Sequence, residues 1–157
     1  MVFAKIAMQR RKPGQPQAET MRILIAEDDY ISRKYLYTLL SQHGEVKLAV
    51  NGQEAVDAFA LAISEKHPFD LVCLDIMMPE LDGVDVLKTL RAQEAEGTSP
   101  GGPAKIVMTT ALADRDHVLR AMQNGCDGYL LKPIEPVTLI KKLQELRVLP
   151  GGRSAAS

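Results

Sequence analysis

Phe69–Gly83 reads FDLVCLDIMMPELDG. Leu71, Val72, Cys73 and Leu74 form a short apolar run. Bounded by turn signals, such a run predicts a strand buried on both faces. Asp75 ends the run, and a carboxylate at the carboxyl end of a buried parallel strand is unfavourable unless the site uses its charge. Met78-Pro79-Glu80-Leu81-Asp82-Gly83 reads as a turn, and Val84, Leu87 and Leu90 then recur at helical spacing. Ligands of open α/β sheets bind where strands end and loops begin. Asp75 is therefore the first candidate for chemistry.

The same strand-then-helix unit repeats on either side. RILIA (22–26) is an apolar strand running into Glu27-Asp28-Asp29, and Ile31, Tyr35, Leu36, Leu39 and Leu40 mark a helix that stops at Gly44. Val46–Val50 is the second strand, and Asn51 caps a helix with Val56, Phe59, Ala60 and Ile63 on one face. After the Phe69–Gly83 unit, EGTSPGGP (96–103) is a loop, and Lys105–Thr109 is the fourth strand. Asp114 is expected to cap a helix reaching about Asn124, with Val118, Ala121 and Met122 inward and Gly125 as its stop. GYLL (128–131) is the fifth strand, followed by Lys132-Pro133. Val137, Ile140, Leu143 and Leu146 mark the last helix. Five such units predict an α/β fold with a parallel sheet covered on both faces. They are too few to close an eight-stranded barrel. The expected architecture is a doubly wound five-stranded sheet of flavodoxin-like order 2-1-3-4-5, with its switch point between strands 1 and 3. The expected organisation is a leader over 1–20, a folded domain over 21–147 and a flexible tail over 148–157.

Composition removes several function classes. The chain has 157 residues with a formal net charge of −1, so nothing draws it electrostatically to nucleic acid or an anionic membrane. Trp is absent and other aromatics are few, which disfavours base-stacking platforms. No apolar run approaches the roughly 18–20 residues of a membrane span. Lys5 interrupts the apolar start, and Arg10, Arg11 and Lys12 follow it instead of preceding it, unlike a signal peptide. Cys73 and Cys126 lack C-x-x-C spacing and read as reduced packing residues of a cytoplasmic protein. His43, His67 and His117 share no metal-ligand spacing, and Met77 and Met78 read as packing side chains.

In the order 2-1-3-4-5, strands 1 and 3 are neighbours, so Glu27, Asp28 and Asp75 converge at their carboxyl ends. Their mutual repulsion is relieved by a hard divalent cation, and oxygen ligands with retained waters suit Mg²⁺. Strand 4 delivers the hydroxyls of Thr109-Thr110, and strand 5 delivers the ammonium of Lys132. A carboxylate nucleophile beside a metal, a hydroxyl and a lysine is a phosphoryl-transfer site. A haloacid-dehalogenase-like phosphatase shares the nucleophile and metal. It wants a second Asp two residues on, where this chain has Met77, and usually a cap domain. A flavodoxin-like binding module wants a Ser/Thr/Gly-rich phosphate loop after strand 1, where this chain has three acids.

ILIAEDD, LDIMMPELDG, TTA and GYLLKP, in that order, resemble the receiver domain of bacterial response regulators over Arg22 to Arg147. The resemblance implies that Asp75 is the phosphoacceptor. It implies Mg²⁺ held by Asp28, Asp75 and the backbone carbonyl of Met77, with Glu27 acting through water and Asp29 pointing away. It makes Thr110 the switch hydroxyl, Tyr129 the aromatic that turns inward when the threonine moves, and Lys132 the phosphoryl-pairing ammonium, with a cis bond to Pro133. Thr110 and Lys132 share the chemistry with Asp75. The first acid is Glu where the family more often has Asp. Met77 and Leu112 occupy the two positions that tune loss of the phosphoryl group, and both are apolar, which predicts slow self-dephosphorylation. The implied function is that of a stand-alone regulator, a phosphoacceptor and not an enzyme. It would be phosphorylated by a histidine kinase or histidine phosphotransfer protein and would switch a surface of helix 4, strand 5 and helix 5 that binds a protein target or a second copy. The alternative is a receiver fragment of a longer regulator.

Overall fold

Alternation along the central strands decides how the sheet is covered. The computed structural model describes residues 20–97, 101–111 and 115–151. Its elements are β1 (Arg22–Ala26), α1 (Tyr30–Leu40), β2 (Glu45–Ala49), α2 (Gly52–Ser64), β3 (Leu71–Asp75), α3 (Gly83–Glu96), β4 (Lys105–Thr110), α4 (Arg115–Gln123), β5 (Gly128–Leu131) and α5 (Pro136–Glu145). The strands form one parallel sheet in the order β2-β1-β3-β4-β5, the doubly wound order expected. Leu24, Val72, Leu74, Ile106 and Met108 face one side and pack on Ala55 and Phe59 of α2 and Val84 and Leu87 of α3. Ile23, Ile25, Leu71, Cys73 and Val107 face the other and pack on Leu36 and Leu40 of α1 and Leu139 and Leu143 of α5. Side chains on a strand alternate between faces, so the unbroken apolar run Leu71–Leu74 of β3 requires helices on both. Burial also pushes the Cys73 thiol up to about 12, so it is an inert packing group.

The helices keep their expected existence but several faces differ. Ile31 and Tyr35 of α1 are 70% and 40% exposed, and only Leu36 and Leu40 of that helix are buried. α2 buries Gly52, Ala55, Phe59 and Ala62, while Ala60 is exposed and Val56 and Ile63 flank the contact. Small residues let the helix sit close to the sheet, and that rotates the buried stripe by about one residue from the bulky one. α4 buries Ala121 alone and leaves Met122 51% exposed, because it meets little beyond α3 and the sheet edge. In α5 Leu139 is buried where Val137, at 79% exposure, was expected. β2 starts at Glu45 and β4 continues through Thr110, each one residue from its expected bound. The expected cap Asp114 lies outside the described residues.

Three caps bring loops back to the sheet. Asp29, Asn51 and Asp82 accept from Ser32 N, Glu54 N and Asp85 N at 2.8, 2.8 and 3.0 Å. At the far end of α5, Val148 N and Leu149 N donate to Leu143 O at 2.9 and 3.2 Å, and both side chains pack against the α1/α5 core. The first residues of the expected tail are thus part of the packed structure. Among the described residues no helix is long and apolar enough to cross a membrane.

Candidate functional site

The carboxyl ends of β1, β3, β4 and β5 lie side by side, and each delivers polar groups to one rim. Register places Ala26 beside Leu74 and Asp75 beside Thr109, so the residues that follow meet at one rim. Glu27 and Asp75 are buried, at 1% and 3% exposure, and so are Thr109 and Thr110. One carboxylate oxygen from each of Glu27, Asp28 and Asp75 lies within 4.8 Å of the others, with Asp28 on the solvent side. Lys132 reaches in from β5. Its Nζ stands 2.6 Å from Glu27 Oε1 and 3.3 Å from Asp75 Oδ2. The Lys132–Pro133 bond is cis. Lys132 N donates to Thr110 O at 2.7 Å, which places the lysine and the threonine next to each other.

Local chain geometry orients the acids. Asp29 N donates to Glu27 Oε2 at 3.1 Å, while the Asp29 side chain turns away to cap α1. That capping bond to Ser32 holds the Asp29 carboxyl below its usual range. Met77 N donates to Asp75 Oδ1 at 3.2 Å, which fixes one oxygen of the central carboxylate. Arg33 was not singled out from sequence. Its guanidinium donates to Glu27 O at 2.8 Å and Asp28 O at 3.2 Å, clamping the backbone that presents the acidic pair. The available signal was a basic residue one turn into the helix that follows three acids.

The electrostatics are those of a site short of positive charge. Burial, then the neighbouring Glu27 charge, push Asp75 from 3.8 up to about 7, against the opposing pull of Lys132 and the Met77 amide. Burial alone would lower Lys132, but hydrogen bonding and charge from Glu27 and Asp75 outweigh it and hold the ammonium above its ordinary value. One ammonium faces three carboxylates. Hard oxygen donors in excess over cations fit a divalent ion such as Mg²⁺.

One expected site residue stands differently from the reading of its side chain. Met78 is buried at 7% exposure, but Met77 is 58% exposed and is no packing residue, because it rides the outside of the loop that leaves β3. Tyr129 is 41% exposed, since on the edge strand β5 it alternates with buried Gly128 and Leu130. Leu112 lies outside the described residues.

Known proteins share this fold and stretches of this sequence. A family model described as the response regulator receiver domain matches residues 23–144. The chain is 36% identical over 129 residues to chemotaxis protein CheY-3 of Vibrio cholerae, covering 82% of this chain and 92% of that protein. The receiver domain of sensor histidine kinase PA1611 from Pseudomonas aeruginosa PAO1, solved with magnesium coordinated in its active-site cleft, superposes with a TM-score of 0.67 at 27% identity. That match covers 81% of this chain and 97% of that one. The receiver domain of Ssk1 from Saccharomyces cerevisiae, solved with the histidine phosphotransfer protein Ypd1, superposes with a TM-score of 0.68 at 30% identity, over 85% of this chain and 94% of that one.

Proposed function

The chain belongs to the response regulator receiver family of two-component signalling, and on that premise we propose that it works as a phosphorylation-switched binding protein with Asp75 as its phosphoacceptor. One observation carries the reading: Asp75 is buried among Glu27, Asp28 and Lys132, with ligand oxygens within 4.8 Å and an ammonium at 3.3 Å. Asp75, Asp28 and the Met77 carbonyl would hold Mg²⁺, with Glu27 acting through water. The ion would supply charge neutralisation to the phosphoryl oxygens.

The chain's own groups do the rest. A carboxylate oxygen of Asp75 forms the new O–P bond as the P–N bond to the donor imidazole breaks, and the imidazole leaves with the electron pair. Lys132 pairs a phosphoryl oxygen, and the neighbouring Thr110 hydroxyl gains an anionic acceptor. Movement of Thr110 would let Tyr129 turn inward, shifting a pre-existing equilibrium of the α4–β5–α5 surface. A groove of about 440 Å³ lined by Tyr129, Leu131, Ile134 and Thr138 supports a binding role there, as do exposed Leu119 and Met122 on α4. The partner types that fit are a histidine kinase or phosphotransfer protein as donor and a protein target, or a second copy, at that surface. The proposed compartment is the cytoplasm. A phosphatase of the haloacid-dehalogenase type is disfavoured because Met77 stands where its second Asp would be.

Intact mass after incubation with acetyl phosphate and Mg²⁺ tests the reading. Wild type is expected to gain one phosphoryl group, and to lose that gain with EDTA or with Asp75→Asn. An adduct that persists on Asp75→Asn, or none on wild type from either acetyl phosphate or a phosphorylated phosphotransfer protein, overturns it.

A further inference from the structure

We propose that Gly83 is a positioning residue of this site: its missing side chain lets α3 rest on the Asp75–Ile76 peptide and so holds the loop carrying Met77 in the geometry a small hard cation demands. The inference rests on the Mg²⁺ reading above.

The contact is between backbones. A Cβ on Gly83 would stand 2.2 Å from Asp75 O, 2.7 Å from Ile76 Cα and 2.9 Å from Asp75 C, where ordinary contact begins at 3.4 Å. No side chain can swing aside to relieve this, so the loop itself would have to move by about 1 Å. Gly83 is already the first residue of α3, so the requirement is for space and not for an unusual φ.

Ile76 transmits that contact. Its N–H donates to Thr109 O of β4 at 2.9 Å, and its carbonyl accepts from Gly83 N of α3 at 2.8 Å. The residue between Asp75 and Met77 is thus pinned from both sides, and it is fully buried. Glu80, at φ 70°, and the Leu81 N to Pro79 O bond of 2.8 Å turn the chain back, and the Asp82 cap holds the first turn of α3 in place. Since Met77 N also bonds Asp75 Oδ1, a shift of this loop moves the central carboxylate and the Met77 carbonyl together.

Cations differ in how much of that they tolerate. Mg²⁺ demands near-ideal octahedral geometry at about 2.0–2.1 Å, whereas Ca²⁺ accepts six to eight ligands at about 2.3–2.6 Å in flexible arrangements. A loop displaced by about 1 Å therefore hurts Mg²⁺ far more than Ca²⁺. General destabilisation would not change the ratio.

The test is a thermal-shift titration of full-length protein with Mg²⁺ alone and Ca²⁺ alone, for wild type, Gly83→Ala and Leu90→Ala. Leu90→Ala removes buried apolar volume from the same helix away from the loop, and it should leave the ratio of the two affinities unchanged. Gly83→Ala is expected to weaken Mg²⁺ about tenfold or more and Ca²⁺ less than about threefold. An unchanged ratio in Gly83→Ala overturns the proposal while the Mg²⁺ reading stands. Wild type binding neither metal overturns that reading instead. If Gly83→Ala does not fold, Asp82→Ala decides, because it loosens the same turn without adding atoms. A ratio lowered about threefold supports the proposal, and an unchanged one refutes it.

Discussion

Asp75→Asn keeps the shape of the central side chain and removes its charge, so it isolates what burying that charge does to the fold. Asp75 is 3% exposed, and burial with Glu27 nearby pushes its pKa from 3.8 to about 7. The folded state then holds a proton that the unfolded chain has already released. Stability from this group is complete below about pH 4, is lost as pH rises towards 7, and stays level beyond. At 1.36 kcal/mol per pH unit, the step from 3.8 to about 7 amounts to roughly 4 kcal/mol. For a domain of this size that is on the order of 10 °C in melting temperature. Melting wild type and Asp75→Asn in EDTA from pH 3.5 to pH 8 measures it. The two are expected to agree at the acid end and to diverge with rising pH, the variant being more stable. Groups remote from the pocket are common to both proteins and cancel in the difference, which therefore reports Asp75 together with the neighbours coupled to it. Adding Mg²⁺ at pH 8 should raise wild type much more than the variant. Parallel curves across that range would refute the argument that the buried carboxylate is unfavourable in the metal-free fold.

Lys132→Met keeps the stem and deletes the ammonium, leaving Glu27 and Asp75 without their ion pairs. In EDTA at pH 8 it is expected to destabilise by about 3 kcal/mol, and by less at pH 5 where Asp75 is protonated. A urea-denaturation difference below about 1 kcal/mol at pH 8 would count against the pairing. Lys66 and Arg147 sit at φ 62° and 63° just past α2 and α5, where glycine is the unstrained choice. Lys66→Gly and Arg147→Gly should each stabilise by about 0.5–1 kcal/mol, additively, as read from denaturation midpoints. The apolar Met77 and Leu112 lead us to expect a phosphoryl half-life of minutes or longer on the purified protein. Decay within seconds, followed by intact mass, would show that water reaches the acyl phosphate freely.

Much of this was legible in the chain because it depends on neighbours in sequence. The run Leu71–Leu74 ending in Asp75, and its relatives at Arg22, Val46, Lys105 and Gly128, announce five strands through local composition alone. Asn51 is the right cap at the right offset, and Gly125 stops α4 at φ 96°. Topological rules then place the ends of strands 1 and 3 side by side, so the sequence alone groups Glu27, Asp28 and Asp75. What tertiary structure alone decided is which way each helix turns its apolar surplus and which distant backbones touch. Ile31 and Val137 are about as apolar as Leu36 and Leu139, and only docking against the sheet leaves the first two exposed and buries the other two. Arg33 clamps the acidic backbone because of where α1 starts. Gly83 meets Asp75 because a seven-residue loop closes on itself. Periodicity reports that a helix has an apolar side. It cannot report the rotation at which that side meets a sheet, nor a contact whose partners lie a loop apart, because both are set by packing of the whole fold.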